Sequence, residues 1–264
     1  MLAAGWRVDA LSRQDRVDTP ALRWHRGDFA RAGELDPVPD AIFSCGPLDL
    51  FADWYQQHGV PAAPVVAFGS TSLHTKQDAD DAGERAVASR LQLAEAGLLQ
   101  AARAFGARAT VLRPTLIYGA GRDATLTRIA AMARRSGFFL VPRGATGLRQ
   151  PVHVGDLAAA AVAAVDAAAA DGRCYDLPGG ETLPYREMVV RVLAALDPSP
   201  RLIELPAGVF NVALAAARLT GRLQGLPAGA VARMRQDLVF DVAAAGRDLG
   251  YCPRVFQVEA KMLG

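Results

Sequence analysis

"VVAFGSTS" (residues 65–72) is an apolar run of four that stops at a glycine and continues into three hydroxyl-bearing residues. A short run rich in valine and closed by glycine reads as a buried strand. From about Ala82 to Phe105, the residues Val87, Leu91, Ala94, Leu98, Ala101 and Phe105 recur at spacings of three and four, which places them on one helix face. A second apolar run follows at Ala109–Arg113. Strand, long helix and strand in succession describe a parallel sheet covered by helices.

Upstream, the same alternation predicts strands at Arg7–Leu11 and Ala41–Ser44, with a helix over "LDLFADWYQQHG" that stops at Gly59. Downstream it predicts a strand at Cys174–Leu177 and shorter ones near Phe139–Pro142 and Pro151–Val154. Asp156 is expected to cap the helix "LAAAAVAAVDAAAA", and Gly172 to end it. After residue 180 helical patterns are joined by prolines, as in a C-terminal lobe. The fold class is therefore α/β, with a Rossmann-like domain over residues 1–178, an insertion at 120–150, and a small lobe over 179–264.

At 264 residues the chain can bury a large core. Its formal net charge of +2 gives no sign of a nucleic-acid tail or polybasic membrane patch. Its apolar stretches are too short to span a bilayer, and the N-terminus has no basic-then-apolar leader pattern. Cys45, Cys174 and Cys252 have no metal-ligand spacing, so no metal site is expected and a cytoplasmic setting with reduced thiols is.

Parallel sheets bind ligands beyond the carboxyl ends of their strands, so residues just after each strand are the candidates. Ser12-Arg13 suits a ribose 2′-phosphate by hydrogen bond and charge, although a solvated turn accounts for the same residues. Cys45-Gly46-Pro47 would let a cofactor pass close to backbone, and a plain tight turn explains it equally. Ser70 and Thr71 offer hydroxyls to a substrate oxygen, as clusters that cap turns also do. His74 can act as acid or base, or be a solvated loop histidine. "LRPTLIYG" places Pro114 and Tyr118 after another strand, with Tyr118 either a substitute acid or a packed ring.

In order, "WRVDALSR", "HRGDFAR", "VVAFGSTS", "LRPTLIYG", "RQPVHVGDLAAAAVAAV" and "YDLPGGETLPYREMV" resemble the extended and atypical short-chain dehydrogenase/reductase superfamily, the NAD-dependent epimerase/dehydratase group. The resemblance implies a doubly wound parallel sheet that lacks, in this chain, the family's first strand and G-x-x-G-x-x-G turn. Roughly 20 residues are expected to be absent, through a misplaced start or a natural loss of dinucleotide binding. It also implies a cofactor, NADP in preference to NAD, at Ser12, Arg13, Asp28, Cys45, Gly46, Ser70, Arg90 and Pro114. Without the turn, that binding is expected to be weak.

Arg149, Gln150 and His153 are implied to meet a small-molecule substrate, with Thr71, Tyr118 and His74 as catalytic candidates. The family's tyrosine and lysine, four residues apart, fall on Ala86 and Arg90 here. Neither Lys76 nor Lys261 has a tyrosine four residues before it, so the dyad is missing. Two function classes follow: an epimerase/dehydratase-type protein with a degenerate dyad, or a non-catalytic dinucleotide-binding sensor or assembly factor. "RQPVHVGDLA" resembles the branch that includes a respiratory complex I accessory subunit. A homodimer through the helices at Leu48–His58 and Ala82–Phe105 is expected, since Leu93 and Leu99 extend the apolar surface beyond one stripe.

Overall fold

The structure, a computed structural model, describes residues 1–29, 32, 35, 38–219 and 230–264. Most of the helix expected after Gly27-Asp28 lies outside the described residues. The chain divides into two compact units. The first comprises residues 1–113, 159–175 and 247–250, and the second residues 114–158, 176–246 and 251–264.

In the first unit a 3₁₀ turn precedes β1 (Val8–Ser12), which pairs in parallel with β2 (Leu22–Arg26), Val8 opposite Leu22. Next come β3 (Ile42–Ser44), α1 (Leu48–His58), β4 (Val65–Phe68), the short α2 (Ser72–Thr75), α3 (Ala82–Ala104) and β5 (Ala109–Pro114). Strands β3, β4 and β5 run parallel, with Ile42 opposite Val65 and Val65 opposite Ala109.

The helices follow from their sequences. Leu48, Phe51, Ala52 and Tyr55 put one face of α1 into the core, at the i, i+3, i+4, i+7 spacing of an amphipathic helix. Asp81 caps α3 by accepting from the Glu84 amide at 2.8 Å. Ala94, Leu98 and Ala101 then pack with α1 and with Val65, Ala67 and Val111 of the sheet. Each large side chain so buried contributes about 1.5–3 kcal/mol. Gly59 ends α1 with an ordinary backbone, φ −56°; its glycine is needed for space, because a Cβ there would lie 2.0 Å from the Phe105 ring.

The second unit holds β6 (Ile117–Tyr118), α4 (Leu126–Ser136), β7 (Phe138–Pro142), β8 (Leu148–Arg149) and β9 (Val152–His153). Helix α5 (Val154–Asp166) and strand β10 (Arg173–Leu177) belong partly to each unit. The chain then forms β11 (Leu183–Pro184), α6 (Tyr185–Ala194), β12 (Arg201–Leu205), α7 (Ala207–Leu219), α8 (Ala230–Arg233) and α9 (Ala243–Leu249). Strand β6 pairs in parallel with β9, β7 with β12, and β8 runs antiparallel to β11. Tyr118, Leu126, Val141, Met188, Val192 and Phe256 are among its core residues.

Strand β10 lies beside β5, giving a four-stranded sheet in the order β10-β5-β4-β3. Three expectations change. The first strand does not join that sheet but makes its own two-stranded sheet with β2, while the Trp6 ring just before it stands edge-on to Phe43 of β3 at 6.1 Å. Asp156 is not the cap of its helix: α5 already begins at Val154, and the Asp156 carboxylate accepts from Arg254 instead. That helix also stops at Asp166, before a 3₁₀ turn at Ala168–Ala170, and Gly172 (φ 68°) lies beyond that turn.

Candidate functional site

In the first unit the carboxyl ends of β3, β4 and β5 carry the hydroxyl cluster and a buried ion pair. Ser70 Oγ accepts from the Ser72 amide at 3.1 Å, and buried Thr71 opens α2. Arg113, near the end of β5, grips Glu95 of α3 with two parallel bonds, Nε to Oε1 at 2.9 Å and Nη2 to Oε2 at 2.5 Å. These side chains are only 16% and 6% exposed. The Cys174 thiol lies 3.7 Å from Glu95 Oε2, and Gly69 closes over the carboxylate, since a Cβ there would sit 3.1 Å from Oε1. The remaining terminal nitrogen of Arg113, Nη1, lies 3.4 Å from His74 Nε2. Sequence reasoning passed over Glu95; its one signal was an acid inside the stripe of small and apolar residues that α3 buries.

Around this centre the cofactor candidates take other partners. Ser12 Oγ accepts from the Gln14 amide at 3.1 Å, and Arg13 and Asp28 are exposed. Cys45 is exposed. Gly46 leaves room for the Phe29 ring, because a Cβ would stand 2.8 Å from it. Ser44, two residues before Gly46, has a buried hydroxyl without a hydrogen-bond partner among the described residues. On α3, Ala86 is exposed, and Arg90 approaches Asp49 at 3.9 Å. The α3 side chains lining the groove beside Pro47, Leu48 and Asp49 are Val87, Arg90 and Leu91. A pair at i, i+4 facing that groove is therefore valine and leucine, neither able to move a proton.

In the second unit Tyr118 is buried, its hydroxyl accepting from the Gln257 amide at 3.4 Å. Burial pushes its phenol above the ordinary range. His153 meets the Tyr118 ring edge-on at 5.2 Å, and Phe256 does the same at 5.0 Å. His153 Nδ1 accepts from the Gly155 amide at 3.0 Å, so the neutral ring carries its proton on Nε2. Burial, then the Arg254 cation, lowers its pKa. Gly119 has φ 113°, and a Cβ there would lie 2.5 Å from His153 Nε2, so both backbone and space require glycine.

Arg254 is held by Asp156 through Nε at 2.9 Å, and its own amide donates to the same carboxylate at 3.0 Å. Gly179 and Gly180 let this wall close, their amides donating to the Gln150 and Arg254 carbonyls at 3.1 Å each. Arg149 is buried, donating to the carbonyls of Leu148, Gln236 and Arg233 and lying 5.5 Å from the Tyr185 ring centre. Gln150 accepts from the Phe240 amide at 2.8 Å and donates to Thr182 Oγ1 at 3.2 Å. Pro114, also in this unit, is buried at the end of β5. Of the substrate-side trio His153 is the least tied: its Nδ1 accepts from the Gly155 amide, and no partner of Nε2 is found among the described residues.

Residues 88–177 match the NAD dependent epimerase/dehydratase family. Over that stretch the chain is similar to that family. It is 31% identical over 157 residues to a 2-alkyl-3-oxoalkanoate reductase from Stenotrophomonas maltophilia, covering 54% of this chain and 46% of the relative. It is also 31% identical over 131 residues to the mitochondrial NADH dehydrogenase [ubiquinone] 1 alpha subcomplex subunit 9 of Arabidopsis thaliana, covering 49% and 32%. The chain thus spans less than half the length of these relatives. Among solved structures, MoeE5 in complex with UDP-glucuronic acid and NAD superposes with a TM-score of 0.67 at 19% identity, over 97% of this chain and 88% of that one. The chain therefore has the expected Rossmann-type α/β fold with a parallel sheet.

A dinucleotide needs backbone amides around its pyrophosphate. The 264 residues contain no G-x-x-G-x-x-G turn, and the space at Gly46 is filled by Phe29. Among the described residues none of the strand ends forms a cradle for a pyrophosphate. No helix among the described residues is long and apolar enough to cross a membrane.

Proposed function

We propose that this chain is an NAD(P)-type epimerase/dehydratase-family protein with a degenerate dyad, which binds a nucleotide sugar or similar small molecule without ordinary keto-reductase or 4-epimerase turnover. The supporting observation is the α3 surface. Ala86 stands exposed, Val87 and Leu91 line the groove, and no tyrosine with a lysine four residues on exists in the chain. Hydride chemistry at a carbonyl needs a group that moves a proton with it. Tyr118 is a poor substitute, because burial disfavours its ionised form and its oxygen is engaged with Gln257. His74 and Thr71 then serve as ligand-contacting groups. Dinucleotide binding is weak without the glycine-rich turn, and where that turn is supplied the Ser12-Arg13 pair after β1 favours NADP over NAD.

The test has two arms. Calorimetric titration with NADP, NAD and UDP-glucose reads binding, and tighter NAD than NADP binding refutes the preference. A substrate panel then compares the unmodified protein with Ala86→Tyr/Arg90→Lys and Val87→Tyr/Leu91→Lys variants. Robust turnover by the unmodified protein, abolished by His74→Ala, overturns the reading.

The identity with the NADH dehydrogenase subunit favours a second reading, a non-catalytic sensor or assembly factor. The two separate on native mass: an assembly factor elutes from its own cell extract in a large complex, while a small-molecule binder elutes at its own size.

A further inference from the structure

We propose that Glu95 and Arg113 form a positioning pair that fixes the orientation and tautomer of His74, at the carboxyl ends of β4 and β5, with Nε2 as acceptor and the ring proton on Nδ1. The inference rests on the proposed ligand-binding reading for its use, but not for its geometry. Glu95 is almost wholly buried on α3 and takes Nε and Nη2 of Arg113 in a fork-to-fork pair. That grip sets the plane of the guanidinium, because both carboxylate oxygens must be met at once. Gly69 and the Cys174 thiol close around the carboxylate and oppose any swing of Glu95.

With its plane set, Arg113 aims Nη1 at His74 Nε2, 3.4 Å away. A guanidinium has five N–H donors and no acceptor, so in this contact Nε2 can only accept. The imidazole proton must then sit on Nδ1, the tautomer that an isolated histidine side chain disfavours. Whatever Nδ1 meets, it meets as a donor. Beside Thr71 and after Gly69-Ser70, this makes Nδ1 a donor at the carboxyl end of β4. Glu95 and Arg113 touch no ligand in this scheme; they act through His74.

The tautomer is directly readable. Imidazole ¹⁵N shifts of the full chain at pH 8, assigned through His74→Gln, should show His74 with a pyrrole-type Nδ1 and a pyridine-type Nε2. Arg113→Met should return it to the Nε2–H form, and Arg113→Lys should restore part of the wild-type pattern. A wild-type His74 in the Nε2–H form overturns the proposal without any variant, as does an unchanged tautomer in folded Arg113→Met. Failure of every tested nucleotide to bind, with the Nδ1–H tautomer intact, would sink the ligand-binding reading and leave the positioning pair standing.

Discussion

Replacing Glu95 by glutamine removes one charge from a site water scarcely reaches. With the side chains of Glu95 and Arg113 6% and 16% exposed, both charges have already lost most of their hydration in the folded state. Glutamine keeps the volume and one acceptor oxygen but leaves the guanidinium without its counter-charge. Breaking a buried pair from one side costs about 3–5 kcal/mol. At roughly 2–4 °C per kcal/mol for a chain near this size, the melting temperature should fall by about 6–20 °C. Circular dichroism melts at fixed pH and protein concentration measure it.

The internal control is Arg186–Glu204, equally short at 2.5 Å but with side chains 50% and 36% exposed. Glu204→Gln should cost less than ~1 kcal/mol, because water competes for both partners there. The double change Glu95→Met/Arg113→Met should recover most of the loss, since apolar side chains of similar size need no counter-charge. If Glu95→Gln melts within 1 °C of Glu204→Gln, the pair is hydrated and the reasoning from burial fails.

Gly119→Ala should destabilise by about 1–3 kcal/mol in urea titration, because it combines a positive φ with a Cβ against His153; a neutral result would mean the ring swings aside freely. His153 has a folded pKa below its unfolded value, so the unfolded chain binds the proton first as pH falls. Stability should be fully present above the unfolded pKa near 6.5 and decline as pH falls toward the folded value, and His153→Gln should flatten the urea midpoint between pH 7.5 and 5. Leu93, 74% exposed on α3, and Leu50, exposed on α1, mark the face of the expected homodimer. Leu93→Glu should convert a dimer to a monomer by light scattering, and a wild-type monomer at micromolar concentration would refute that face.

The legible parts of this fold were those where local chemistry decides the outcome alone. Strand β4 matches its sequence bounds because four apolar residues between Pro64 and Gly69 leave no other period to choose. Helix α3 ends within one residue of expectation because its capping acid and apolar stripe are both local. Strand β2, "LRWHR", went unread: its buried-side Leu22 and Trp24 alternate correctly, but two arginines and a histidine hide the period in a five-residue window.

The site was harder, because its partners are distant in the chain. Arg149 reaches carbonyls 84 and 87 residues away, and Gln150 an amide 90 residues away. "RQPVHVGD" gives no hint that both side chains would be tied to backbone. Only the Gly-Asp ending of that string has a short-range logic, and even there Asp156 serves Arg254, 98 residues on, rather than its own helix. Glu95 shows how such a site could still be found. A carboxylate in a buried helical register must be paired, since an isolated buried charge is too costly to keep, and the long β5 strand offers one cation, Arg113, to pair it. The sequence thus signals only that Glu95 needs a cation, while the identity of that partner and the orientation it imposes on His74 need the fold.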